Sequence, residues 1–141
     1  VAPDWMPLRN ELMRLLQEEA ELDEIVKLVG MDALNAHDRM KLEAARSIRE
    51  DYLHQDAFHE VDTYASLPKQ RLMMRLILDY YEMAVAAVDA GANMQKIIDI
   101  PIRERIGRIK YVAEADVQAE YDAILVELQK QIDEIKENGG E

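Results

Sequence analysis

Apolar residues recur three and four positions apart along most of this chain, and that spacing constrains its fold more than any other feature. Leu8, Leu12, Leu15 and Leu16 mark one face, continued by Leu22, Ile25, Val26 and Val29. Met40, Ala44, Ile48 and Tyr52 form a second stripe, and Met73, Ile77, Tyr80, Ala84 and Val88 a third. Val117, Tyr121, Ile124, Leu128, Ile132 and Ile135 form the last. Such stripes are one side of a helix with 3.6 residues per turn. Val, Ile and Thr do not gather into alternating runs and there is a single Phe, which argues against strands.

Punctuation between the stripes agrees with them. A first helix is predicted from about Asp4 to Val29, with Pro7 in its first turn. The run Glu18 to Glu24 holds five acids in seven residues and is read as a place to bend or break. Gly30 stops the helix, with Met31 placed for the apolar contact of a Schellman cap. Asn35 caps a second helix reaching about His54, with Asp38 three residues on as an approximate capping box. Gln55 to Ala65 lacks a helical period and reads as a structured loop. Ser66 caps a third helix with Pro68 in its first turn, and Gly91 ends it. Asn93 caps a short helix through Ile98. Pro101 restarts the chain, and Ile102, Ile106 and Ile109 give a short apolar edge. The final helix is expected from Glu114 to Asn138. The fold class is therefore all-α, a bundle of about five to six helices with short connections and no sheet, occupying residues 1–141 as one domain.

Several classes of function are excluded or weakened. The five glycines belong to no Gly-Lys-Ser/Thr sequence, so the chain carries no phosphate-binding loop and cannot cleave a nucleoside triphosphate alone. Without cysteine there are no disulfides or thiolate zinc sites. Ser47 and Ser66 sit in helix-interior and capping contexts, so no catalytic residue is assigned. His54, Asp56, His59 and Glu60 can be drawn as a metal site, but their spacing matches no known ligand pattern and surface or capping roles account for them; no metal is assigned. A formal charge of −12 repels nucleic acid and anionic lipid and favours protein partners with basic surfaces. No apolar run approaches the roughly 20 residues of a membrane span, so no direct membrane insertion is expected. The N-terminus is no signal peptide and lacks a starting Met, as in a chain processed or cut from a longer one.

Three features leave alternatives open. The acidic run Glu18 to Glu24 reads as a solvated face before a calcium or partner site. Arg103, Arg105, Arg108 and Lys110 either dock an acidic neighbour or pair with the acidic last helix. Phe58, alone in Gln55-Asp56-Ala57-Phe58-His59-Glu60, either anchors its loop on the core or stacks on a ligand ring.

The run Leu16-Gln17-Glu18-Glu19-Ala20-Glu21-Leu22 followed by Ile25-Val26 and Leu28-Val29-Gly30 resembles a signature of rotary ATPase catalytic subunits. Asp4-Trp5 with Arg9, Arg49-Glu50-Asp51-Tyr52-Leu53, Gln55-Asp56-Ala57-Phe58 and Glu60-Val61-Asp62-Thr63-Tyr64 also fit. Pro101-Ile102-Arg103-Glu104-Arg105-Ile106-Gly107-Arg108 is similar to the archaeal and bacterial V/A-type pattern. As a set, covering nearly the whole chain, these segments resemble the C-terminal domain of the catalytic A subunit of an A/V-type ATP synthase. The resemblance implies that catalysis, with ATP or ADP and Mg, belongs to an upstream nucleotide-binding domain and that no cofactor is bound by this piece alone. It implies partners in the B subunit of an alternating hexamer and in the central-stalk subunits. It places the whole in a cytoplasmic head, peripheral to the membrane, coupling ATP synthesis or hydrolysis to proton or sodium-ion transport.

The resemblance also assigns residues. It implies that Phe58 packs on adenine, with Gln55, Ala57 and Tyr64 beside it. It implies that Met31, Asp32, Ala33, Leu34, Asn35, Ala36, His37 and Asp38 face the rotor, where F-type relatives carry an acidic loop. Only Asp32 and Asp38 keep acids there, which favours a steric lever over an electrostatic push. The rival reading, from another class, is a stand-alone acidic helical adaptor for a basic protein.

Overall fold

A computed structural model describes residues 5–53 and 66–138. They form α1 (Trp5–Val29), α2 (Ala36–Ser47), α3 (Leu67–Asp89), α4 (Met94–Ile98), α5 (Arg103–Arg108) and α6 (Val117–Glu137), with no strand among the described residues. A π-helical segment, Ile48–Leu53, continues α2, and 3₁₀ turns lie at Met31–Ala33, Ile109–Tyr111 and Glu114–Asp116.

The third helix is the axis of the bundle. α3 packs against α1, α2 and α6. It therefore buries far more than its predicted stripe: Leu72, Met74, Leu76, Leu78 and Ala87 join Met73, Ile77, Tyr80 and Ala84. A helix apolar on nearly every side must be enclosed by neighbours. The stripes of α2 and α6 pack as predicted through Met40, Ala44 and Ile48 and through Val117, Tyr121, Ile124, Leu128 and Ile132, with Tyr52 and Ile135 partly buried at the margins.

The caps explain the breaks. Asn35 Oδ1 accepts from the Asp38 amide at 2.8 Å, Ser66 Oγ from Lys69 at 3.2 Å, and Asn93 Oδ1 from Lys96 at 3.1 Å. At Gly91, φ +99°, both Schellman bonds form: Ala92 donates to Ala87 and Gly91 to Val88, each at 3.0 Å. Gly30, φ +91°, differs from expectation. It makes the simpler single bond, from its amide to the Val26 carbonyl at 2.8 Å, and Met31 stays exposed.

No break occurs at Glu18–Glu24, because α1 runs as one continuous α-helix. Among the acids of that run, Glu18 and Glu19 find basic partners. Glu18 takes Arg14 at 2.9 Å and Lys41 at 3.6 Å, and Glu19 turns inward to a forked pair with Arg49. Glu19 is buried, so the run is not simply a solvated face. The second helix loses its regular α-form after Ser47, and the last begins at Val117, its first residues forming the 3₁₀ turn instead.

Candidate functional site

Two ends of the bundle matter. α1 and α2 are packed together and joined by the short turn at residues 30–35, which makes a hairpin whose tip is the segment assigned to the rotor. His37 Nε2 lies 2.5 Å from Asp89 Oδ1, so the C-terminus of α3 sits beside that tip. Ser66, at the start of α3, is then at the opposite end. From Ala36 to Leu53 the chain is helical, and 18 residues at 1.5 Å each carry it about 27 Å from the tip. Residues 53 and 66, which flank the assigned adenine segment, are therefore held at the end away from the hairpin turn. Gln55, Ala57, Phe58 and Tyr64, with His54, Asp56, His59 and Glu60, lie outside the described residues.

One short segment anchors both flanks. Lys110 Nζ donates to the Glu50 carbonyl at 3.0 Å, on the upstream side. On the downstream side Lys69 Nζ donates to the carbonyls of Lys110 at 2.6 Å and Val112 at 2.7 Å. Ser66 donates to Glu114 twice, through its amide at 3.1 Å and its hydroxyl at 2.5 Å. Those hydrogen bonds hold the Glu114 carboxyl below its ordinary range. Lys69 is 1% exposed, so its ammonium depends on such carbonyl acceptors in place of water.

The basic cluster is largely engaged within the molecule, with only Arg105 on the expected last helix. Arg103 binds Glu43 at 2.8 Å, Ser47 Oγ at 2.9 Å and the Ile98 carbonyl at 2.8 Å. It also lies over the Tyr80 ring, 5.0 Å from its centre. Burial pushes the Tyr80 hydroxyl up to about 12, and it donates to the Ile97 carbonyl at 3.0 Å. Only Arg105 pairs with α6, by a fork onto Glu120 at 2.7 and 3.2 Å. Arg108 stays exposed, 3.9 Å from Glu104. Beside Arg103 lies a polar cleft of about 370 Å³ that Arg46, Asp51 and Asp99 also line. Burial raises the Asp51 carboxyl, while Lys110 and Arg103 oppose that shift. Arg103 and Arg46 share Glu43, so among the described residues both guanidiniums that line the cleft already have a carboxylate partner.

At the tip, Met31, Asp32 and Ala33 form an exposed 3₁₀ turn, Leu34 and Ala36 are half-buried, Asn35 caps α2 and Asp38 is half-buried. The surprise is the last turn of α1. Ile25 and Val29, placed by periodicity in the buried stripe, are 42% and 66% exposed, and Leu28 is 82% exposed. Among the described residues, no element covers them. Periodicity alone carried no signal of this, because it marks an apolar face without showing what covers it. Among the described residues, no group of acids and histidines is arranged to hold a metal, and no helix is long and apolar enough to cross a membrane.

The family of C-terminal domains of V and A type ATP synthases matches residues 1–98. The V-type ATP synthase alpha chain of Acetivibrio thermocellus is 54% identical over 133 residues, covering 94% of this chain and 23% of the relative. Those of Clostridium botulinum and Clostridium perfringens are 53% and 54% identical over 140 residues, covering 99% of this chain and 24% of each relative. The chain thus spans about a quarter of the length of these relatives. A helical bundle matched along most of its length by one family model, and nearly throughout by these alpha chains, belongs to the family of V/A-type ATP synthase C-terminal domains.

Proposed function

We propose that this domain closes the adenine side of the nucleotide site in the catalytic subunit of an ion-translocating V/A-type ATP synthase, and meets the rotating central stalk at its opposite end. The observation that carries this reading is the two-ended geometry. The stems of the adenine segment and the hairpin tip are ends of one packed body, bridged by α2 and α3 and tied by His37–Asp89. Pressure at the tip is then delivered to the stems as rigid-body motion, because a close-packed helical core is not continuously deformable. The ordered stems also suit a positioning role, since Lys110 reaches the upstream flank and receives the downstream one.

In this reading phosphate, Mg and the chemical step belong to an upstream nucleotide-binding domain, and the present residues supply a wall. B subunits complete the alternating head, on the cytoplasmic face of the membrane. Phe58 supplies a ring face to the base, assisted by Gln55, Ala57 and Tyr64. Phe58→Ala in the assembled head is expected to weaken ATP and ADP binding by roughly 1–3 kcal/mol, the scale of one base–aromatic stack. GTP should suffer similarly, because stacking reads a π-face. Nucleotide affinity unchanged, with a large fall in the melting temperature of the domain, would assign Phe58 to loop anchoring instead.

A further inference from the structure

Eight large apolar residues are exposed among the described residues, and four of them fall within positions 25–31: Ile25, Leu28, Val29 and Met31. They form an apolar tip on the α1–α2 hairpin. Around it stand exposed Glu21, Asp23, Glu24 and Asp32, against one local base, Lys27, which is itself 3.5 Å from Glu24. The tip is also preformed. Gly30 closes the last turn of α1, Asn35 opens α2, and His37 is fixed to Asp89. A clustered apolar patch with a charged rim is the usual anatomy of a protein contact, and preorganisation removes part of its entropic cost.

We propose that Ile25, Leu28, Val29 and Met31 dock an apolar helix face flanked by lysines or arginines on another chain, and that apolar contact holds the complex while the acidic rim only steers it. Charge complementarity selects that partner: the rim repels acidic surfaces, including a second copy of this chain, whose formal charge is −12. The inference rests on the reading that this end meets the central stalk, and adds which atoms carry the contact and which chemistry faces them. It shifts the weight from the assigned loop residues to the preceding helical turn.

The test uses the full-length catalytic subunit assembled into its head, with purified central-stalk subunits as the probe. Leu28→Ser with Val29→Ser should speed stalk dissociation about tenfold or more, with the salt dependence of association unchanged. Asp23→Asn, Glu24→Gln and Asp32→Asn together should slow association several-fold and flatten its salt dependence, with dissociation nearly unchanged. Leu28 and Val29 are exposed, so melting temperatures should stay at the parent value, which serves as the folding control. A photo-crosslinker at Asp32 separates the two levels of the argument. Crosslinking to the stalk, with dissociation unaffected by the serine variant or governed by the acids, overturns the apolar contact and leaves the stalk reading standing. Crosslinking to a second copy, or to no stalk subunit, overturns both.

Discussion

Lys69 shows how tertiary surroundings override a residue's ordinary place. A lysine at the start of a helix reads as surface, because an ammonium loses hydration on burial. Here it is 1% exposed and its Nζ is bound by the Lys110 and Val112 carbonyls. Lys69→Met keeps much of the stem volume but leaves those acceptors without this donor. The expected cost is at least about 1.5–3 kcal/mol, the scale of a hydrogen bond to a charged group. Urea unfolding of the domain checks it, and an unchanged midpoint would remove Lys69 as the pin between α3 and the 109–112 turn. Nothing in the sequence announces such a residue, because its acceptors are backbone carbonyls some forty positions away. Gly107 was equally silent. A Cβ there would sit 2.9 Å from Asp51 Oδ1, a clash visible only once α5 lies against the π-helical segment. Arg103 was legible as a charge but not as the hub linking α2, α4 and the Tyr80 ring.

Elements were far more legible than residues, because they depend on local periodicity and caps. Asn35, Ser66, Gly91 and Asn93 mark boundaries by hydrogen bonds within a few residues, and each lies where its side chain or its positive φ requires. What failed at this scale required knowledge of neighbours. The acid run Glu18–Glu24 leaves α1 intact, and Arg49, thirty residues on, donates to the Glu19 carboxylate. The stripe of α1 is exposed at Ile25 and Val29 because periodicity marks an apolar face without showing whether a neighbour covers it. The end of α3 offers a clean measurement. A Cβ at Gly91 would meet nothing within 4 Å, so substitution tests conformation alone. Gly91→Ala should destabilise by about 1 kcal/mol, the usual left-handed penalty for a side chain, and Gly91→Asn by less. Thermal unfolding reads this directly, and an alanine variant as stable as the parent would contradict the cap's role. The candidate sites were unevenly legible: the tip's loop residues came from family resemblance, whereas its exposed apolar turn emerged only from burial.

At the scale of the whole molecule, the helices form one continuous core from Leu8 to Ile132, centred on α3. That core gives the domain the means to fold without the remainder of the subunit, and nothing in it resembles a phosphate cradle. Several described acids and bases join elements as ion pairs, among them Glu19–Arg49, Glu43–Arg103 and Glu120–Arg105. In the proposed role the domain is a wall and lever, with phosphate binding left to an upstream domain. An aromatic stack of about 1–3 kcal/mol is far below the roughly 8 kcal/mol of micromolar affinity. Isothermal titration of ATP into the isolated domain, shown by circular dichroism to be helical, is the most direct test. No binding tighter than millimolar is expected; micromolar binding by the helical domain alone would contradict the proposed role.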